Sequence, residues 1–498
     1  MDKKTTILIG IIFLIAIIIR IFFSVPNETF NDSDSYYSLR QLKSIEENKY
    51  LLYEDPLSFS GKEFSFMPGF YVLMGIPYLF FQNIIIIKII SIILISLTTI
   101  IIFLISKKLT NNKNIALFTS FGSIFIPILL SKTTNNITTI NLTIPLVLLA
   151  LYLFSEYGKS STKSFLYISF LFALALVSAH SLIFLTSIFM YTILLKIEKI
   201  SISKNKQEIT IFSTIFLVWI NLIFFKKALQ SHGINIIWQN IPNDIVFNYF
   251  SSLNMVNIIF FIGIIPFVLA LYGIYNNLFK TKKEELYIYA GFITTIFFLL
   301  LLRLVKLETG LIYLGLAFMI FSSLGIKDLI TYIKKTKSVK YIKIIFAGIF
   351  ILFIITSIIP TIQAINNKNH ISPETIQALK WIKNKTPNTS IILGTINEGH
   401  LISEIAERKN VIDTNFLLQK NINDRYNDIE LIYTSSLAIK AIEASNRYNI
   451  NYILFDDAKN YYNINSLKYK DSSLLELVYS NKKVDIYKIK GRVEKYEQ

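Results

Sequence analysis

The sequence contains no cysteine. Disulfides, thiol chemistry and zinc–thiolate sites are therefore excluded, while the redox compartment is left open. Charge is scarce too: Asp, Glu, Lys and Arg make up 17% of the 498 residues, against 53% hydrophobic residues that include 40 Phe and 28 Tyr. A water-soluble chain of this length is not so poor in charge, so lipid is its main solvent. Acidic residues are the scarcer sign, 33 against 50 basic ones, for a formal charge of +17. Most lysines sit in short loops between apolar runs, which makes the excess a matter of membrane topology, with no nucleic acid partner expected. No phosphate-binding loop, dinucleotide-binding glycine fingerprint or H-E-x-x-H motif occurs. Solenoid repeats and low-complexity linkers are absent as well.

What is present is a succession of apolar runs of about 16 to 22 residues, the length a helix needs to cross a hydrocarbon core about 30 Å thick. The first run, Thr5 to Phe23, follows Lys3 and Lys4 as a signal sequence would, but no small-residue cleavage site follows it. It is read as a retained span. With that N-terminus in the cytoplasm, the loops expected inside carry Lys107, Lys108 and Lys113; Lys159 and Lys163; Lys196, Lys199, Lys204 and Lys206; Lys280, Lys282 and Lys283; and Lys327 through Lys343. This is the positive-inside pattern. Letting Phe66 to Phe81 cross would invert every later loop, and Pro68, Gly69, Gly75 and Pro77 interrupt it, so it is expected to be a short external or re-entrant helix. The spans are then 5–24, 83–106, 114–130, 140–155, 164–179, 181–196, 209–225, 253–276, 286–302, 311–326 and 342–360.

About eleven spans is an odd number, so the tail lies outside. After Pro360 the pattern becomes that of a soluble α/β domain. Ser372-Pro373 opens a helix. Short β-rich runs follow at 390–393, 452–455, 474–479 and 484–489, with helical stretches at 401–408 and 429–446. The expected fold class is a multi-pass α-helical membrane protein with a C-terminal extracytoplasmic α/β domain. Residues 1–360 form the transmembrane domain, with a first external loop at 26–82, and 361–498 form the α/β domain. The expected location is the cell membrane, with the N-terminus cytoplasmic.

The segment just outside the first span reads Asn31-Asp32-Ser33-Asp34-Ser35-Tyr36-Tyr37-Ser38-Leu39-Arg40. An acid-x-acid pair suits a divalent metal that in turn holds phosphate oxygens, because hard cations prefer carboxylate oxygen. A long external loop also carries polar residues for solvation alone, and D-x-D by itself does not separate the two readings.

Asp34-Ser35-Tyr36-Tyr37-Ser38-Leu39-Arg40 resembles the Asp-Pro-Tyr-Tyr-x-x-Arg that opens the first external loop in catalytic subunits of archaeal oligosaccharyltransferases. These belong to the GT-C superfamily of polyprenyl-dependent glycosyltransferases. Asp55-Pro56 to Pro68-Gly69-Phe70-Tyr71 resembles the continuation of that loop. The resemblance implies a divalent cation, Mg or Mn, on Asp34. Phe125-Ile126-Pro127 with Ser131-Lys132 is similar to the end of the family's third span, after which a second acidic pair is expected. Thr138-Thr139-Ile140-Asn141 stands there without a carboxylate. Arg303, at the outer end of a span, resembles the family's arginine that holds the lipid phosphate, a task suited to its fork of donors; alone, it reads equally as a snorkelling helix-end residue. Lys306, Lys132, Lys226 and Lys227 lie outside against the positive-inside trend. The loop from Lys226 to Ser252 matches the family's flexible external loop but lacks its Glu, and is read as a sequence-tolerant loop. In the tail, Trp381-Ile382 to Pro387, Gly399-His400-Leu401-Ile402 and Ala406 to Asp413 resemble the frame of the Trp-Trp-Asp-Tyr-Gly motif. Gly399 matches its Gly, and Thr395-Ile396-Asn397-Glu398 replaces the rest.

The resemblance implies a membrane enzyme that moves a sugar or glycan from a polyprenyl-phosphate or pyrophosphate carrier to an extracytoplasmic protein, lipid or glycan acceptor. Asp34, with Asp32, would hold a cation or act as base. Arg303, Arg40, Lys132, Asn141, His180 and Lys306 would bind substrate, His180 being otherwise the residue of a tight turn. The expected partners are the polyprenyl-linked sugar donor, membrane lipids and the acceptor. The missing second acidic pair leaves a second reading open, a catalytically degenerate relative that acts as a non-enzymatic subunit of surface-glycan assembly. A transporter is disfavoured because the spans carry almost no buried charge besides Lys88.

Overall fold

The computed structural model describes residues 2–251, 254–366 and 371–490. They fall into two compact units assembled from separate stretches of chain. Residues 2–28, 67–224 and 248–366 make a helical unit, and 29–66, 225–247 and 371–490 make a unit that contains the sheets. From the sequence, 26–82 is expected with the membrane part; by its contacts, 29–66 belongs with the tail.

In the helical unit, six described helices are long and apolar enough to cross a membrane, and eight if each of two bent pairs is one span. The chain is built as a membrane protein: in hydrocarbon every backbone N–H and C=O needs an internal partner, which an apolar helix supplies. Helix Leu307–Lys334 is central, its apolar window 94% buried, whereas Lys3–Ser24 is 17% buried and leaves most of its side chains for lipid. The expected spans 114–130 and 253–276 are bent. Lys113–Ile124 breaks from Pro127–Thr133 by 51°, where Pro127 lacks the N–H to continue the ladder. The second pair breaks by 92° at Gly263, whose φ of 100° suits only glycine. Helices Ile140–Glu156, Ser161–Val177 and Ser181–Ile197 are shorter and apolar, as is Gly69–Phe81 with Pro77 inside it. The expected loop at 226–252 is largely helical: Lys204–His232 runs past the apolar window on good helix formers such as Lys226, Ala228 and Leu229, and Asn243–Ser251 follows.

Glycines set how closely the helices pack. A Cβ on Gly325 would lie 2.0 Å from the Leu269 carbonyl oxygen, and one on Gly273 would lie 2.5 Å from that of Phe321, so the two helices meet backbone to backbone. Lysines from the loops are paired at the helix ends. Lys108 lies 2.5 Å from Glu156, Lys206 lies 2.7 Å from Glu284, Lys282 lies 2.6 Å from Glu198, and Lys163 also pairs with Glu156. One buried charge corrects the sequence expectation. Arg20, buried like Lys88, is 1% exposed, with Nη1 donating to the Ala16 carbonyl at 3.2 Å and Nε without a hydrogen-bond partner among the described residues.

In the second unit, strands β1 (Glu54–Asp55) and β2 (Lys62–Glu63) form a small hairpin. The main sheet contains β3 (Ile391–Leu393), β4 (Lys409–Asn410), β5 (Tyr452–Phe455), β6 (Leu475–Ser480) and β7 (Asp485–Ile489) in the order β4-β3-β5-β7-β6. β3 runs parallel to β4 and β5, and β7 is antiparallel to β5 and β6. Helices Pro373–Lys385, Ile422–Thr434 and Ala438–Arg447 flank these strands in the chain, the first capped by the Ser372 hydroxyl, which accepts from the Thr375 N–H at 3.2 Å. The core joins Leu393, Ile412 and Phe455 with Phe59 of the first loop and Ile245.

The glycine crossing yields a test. Gly325→Val should lower the melting temperature of the protein in detergent by several degrees, since overpacking typically costs about 1–3 kcal/mol. Gly348→Ala, where a Cβ meets nothing within 4 Å, is the neutral control. Equal melting temperatures for the two variants would contradict the close crossing.

Candidate functional site

Asp34 lies in the first turn of helix Ser33–Asn48, where the helix dipole favours a carboxylate. Asp32 is the N-cap of the same helix: its Oδ1 accepts from the Ser35 N–H at 3.0 Å. Asp34 Oδ1 accepts from the Thr414 hydroxyl at 2.6 Å. Thr414 Oγ1 is in turn 3.1 Å from His400 Nε2, and the His400 ring is buried 5.3 Å from that of Tyr37. Asp413, fully buried, accepts from Ser58 Oγ at 2.5 Å, Asn410 Nδ2 at 3.2 Å and the Asn415 N–H at 2.9 Å. Asn410 also accepts from the Phe59 N–H at 2.7 Å, and its own N–H donates to the Leu57 carbonyl at 2.8 Å. The turn at 410–415 thus holds both the first loop and Asp34. Gly399 is needed beside it, because a Cβ there would meet the Ile412 carbonyl oxygen at 2.1 Å and Asp413 Cβ at 2.5 Å.

Arg40, two turns beyond Asp34, grips Asp55 with Nε and Nη2, each at 2.6 Å, and reaches the Ser403 carbonyl at 3.1 Å. Burial alone would push its guanidinium down; the Asp55 carboxylate outweighs that and raises it. Lys43 pairs with the buried Glu404, whose carboxyl is raised by burial. Lys62 is 8% exposed, with its ammonium 4.2 Å from the centre of the Phe59 ring and no hydrogen-bond partner among the described residues; burial pushes it down to about 8.

A second group of carboxylates sits at the carboxyl ends of β3 and β5. Glu398 Oε2 accepts from the Thr395 N–H at 2.7 Å and Oε1 from the Asp457 N–H at 3.2 Å. Asp457 Oδ2 accepts from Thr395 Oγ1 at 2.9 Å and Asn397 Nδ2 at 3.1 Å. Burial, then the Asp457 and Asp456 charges, push the Glu398 carboxyl up to about 8. This is the stretch that stands where the resemblance has its Trp-Trp-Asp-Tyr.

The other expected site residues belong to the helical unit. Asn141 is fully buried, its amide donating to Ser91 Oγ at 2.7 Å and to the Asn136 carbonyl at 3.1 Å. His180 ends the Ser178–His180 turn, with its Nδ1 3.5 Å from the Tyr313 hydroxyl. Arg303 follows helix Glu284–Leu301 at a left-handed φ of 56°, exposed, with its guanidinium carbon 5.7 Å from the centre of the Phe250 ring. Lys306 caps helix Leu307–Lys334, and Lys132 pairs with Glu308 in that helix's first turn. Among the described residues no three His, Asp or Glu side chains gather as a metal shell. Sequence reasoning did not single out Thr414, Asp413, Asn410 or Glu398 as site residues. The available signal was a cluster of polar turn residues directly after short apolar strands.

The raised Glu398 carboxyl carries a stability prediction. Its folded value of about 8 lies above the unfolded value of about 4.3, so folding takes up a proton. The stabilisation is fully present below about pH 4 and is lost as pH rises toward 8. Glu398→Gln should flatten the fall in melting temperature between pH 5.5 and 8, while lowering its absolute value through the loss of one amide acceptor. An unchanged slope would contradict the assignment.

No protein-family model and no curated protein matches the sequence. Solved structures do match in fold. The Archaeoglobus fulgidus oligosaccharyltransferase AglB, in complex with an inhibitory peptide and a dolichol-phosphate, aligns over 92% of this chain and 70% of its own at 14% identity, with a TM-score of 0.68. The same enzyme in complex with Zn and sulfate aligns over 96% and 73% at 14% identity, with a TM-score of 0.62. ArnT from Cupriavidus metallidurans bound to undecaprenyl phosphate aligns over 98% of both chains at 8% identity, with a TM-score of 0.56. The protein is therefore similar in fold, over nearly its whole length, to the archaeal oligosaccharyltransferase and to ArnT.

Proposed function

We propose that this protein is a membrane glycosyltransferase that moves a sugar or glycan from a polyprenyl-phosphate or pyrophosphate carrier to an extracytoplasmic protein, lipid or glycan acceptor. The observation that carries the reading is the full-length fold likeness to two enzymes whose structures hold dolichol-phosphate and undecaprenyl phosphate. In this chain, Asp34 is held in the first turn of the first-loop helix. Eleven crossings are supported by six long helices, two bent pairs and the three helices at 140–156, 161–177 and 181–197. Each of those three has 17 residues and spans about 25 Å at 1.5 Å per residue, enough for a hydrocarbon core once their polar flanks are counted. The cytoplasmic N-terminus, the outer position of the first loop and the external tail follow from that count and the lysine-rich loops.

The reaction is a single displacement. The acceptor's O–H or N–H attacks the anomeric carbon, the bond from that carbon to the carrier phosphate oxygen breaks, and the configuration inverts. Asp34 takes the acceptor's proton. The carrier leaves as a polyprenyl phosphate or pyrophosphate anion, whose charge Arg303, Lys306 and Lys132 neutralise. Asp32 caps the helix that presents Asp34, and Arg40 locks the loop through Asp55. His180 is assigned to a turn of the helical unit, and Asn141 lies inside that unit. The divalent cation, Mg or Mn, implied by the resemblance has one candidate ligand, Asp34, and the described residues supply no three-ligand shell, so no step is routed through it.

One observation favours the non-enzymatic alternative. Asn141, standing where the resemblance expects a carboxylate, is buried and hydrogen-bonded inside the helical unit. Transfer assays decide between the two readings. With the full-length protein in lipid vesicles and radiolabelled dolichyl- and undecaprenyl-linked sugars, Asp34→Asn should reduce carrier release by about 10²–10⁴-fold, the usual worth of a positioned base. Arg303→Ala should raise the donor KM. No release by the wild type with any of these donors would favour the non-enzymatic subunit, and release unaffected by Asp34→Asn would overturn the assignment of Asp34 as the base.

A further inference from the structure

We propose that Thr414 and His400 are positioning residues for Asp34, linked by a hydrogen-bond chain of fixed direction that runs from the His400 ring through the Thr414 hydroxyl to the carboxylate. The inference rests on the assignment of Asp34 as the acceptor's base. Thr414 Oγ1 lies 2.6 Å from Asp34 Oδ1 and 3.1 Å from His400 Nε2. The hydroxyl has a single proton, and an ionised carboxylate can only accept. That proton therefore points at Asp34, and Oγ1 must accept from the ring, which makes His400 the Nε2–H tautomer. Asp413 Oδ1, 3.8 Å from the same nitrogen, favours a proton there. Asn415 Nδ2 lies 3.5 Å from the same nitrogen, at the outer limit of hydrogen-bond reach, and does not compete with the 3.1 Å contact to Thr414.

Every member of the chain is held from behind. His400 is 2% exposed and packs against Tyr37, one helical turn after Asp34, so the helix that carries the base also holds the ring. Thr414 directly follows Asp413, which Ser58, Asn410 and the Asn415 N–H lock in place. The tail thereby fixes one carboxylate oxygen of Asp34 with a short charge-assisted hydrogen bond.

The sequence contains only four histidines, so a protein labelled with ¹⁵N-histidine has few ring signals. Solid-state NMR of the full-length protein in lipid bilayers, with the His400 signal identified by its loss in His400→Gln, reads the tautomer directly. We expect Nε2–H at neutral pH and a shift of that nitrogen in Thr414→Val. A signal from the Nδ1–H tautomer, or one indifferent to Thr414→Val, overturns the chain. In the transfer assay, Thr414→Val should lower kcat about tenfold with the donor KM unchanged, and Thr414→Ser should restore most of that loss. A wild-type kcat in Thr414→Val overturns the positioning role. If Asp34→Asn keeps full activity, the base assignment falls, and the NMR result still decides the chain on its own.

Discussion

The unit that holds Asp34 depends on one buried carboxylate. Asp413 has no exposed surface, and a buried anion is tolerated only when its lone pairs are met. Ser58, Asn410 and the Asn415 backbone meet them, and the same bonds pin residues 57–60 of the first loop to the turn that follows β4. Phe59 completes the join by entering the hydrophobic core beneath the sheet. With those residues fixed, Arg40 has a rigid Asp55 to grip and Thr414 a fixed place from which to hold Asp34. The candidate catalytic residue comes from the loop, and the groups that orient it come from the tail.

The helical unit answers to a different solvent. Lipid removes the hydrophobic drive between helices, so close packing takes its place, and Gly273 and Gly325 allow it. Where charges occur, most are at helix ends in pairs, as with Lys108 and Glu156. Arg20 departs from that rule, buried with its Nη1 donating to the Ala16 carbonyl of its own helix. Ionisable groups inside a membrane bundle are costly and mark function more often than structure. The scarcity of buried charge argues against a transporter less strongly than the sequence alone implies.

Much of the fold was legible because its signals are local. Apolar run length located the long apolar helices, and Ser372-Pro373 located the start of the first tail helix. β5 lies at 452–455, as its apolar run indicates. Features set by tertiary contact were not legible. β4 is two residues long and exists only by pairing with β3. The helical stretch at 429–446 is broken where the Ser435 hydroxyl accepts from the Leu437 N–H, a local turn that competes with the helix. The bends at Pro127 and Gly263 interrupt runs whose hydropathy is continuous. The candidate base Asp34 stands in a local motif, whereas Thr414 and His400 lie far along the chain and carry no motif of their own. Asp32, next to Asp34 in the same pattern, caps the helix.

Hydrogen exchange on the full-length protein in lipid nanodiscs tests the role given to Asp413 most directly. Peptides covering 54–64 and 399–415 should be protected in the wild type and lose protection together in Asp413→Ala. Faster exchange confined to 399–415, with 54–64 as protected as before, would contradict the account.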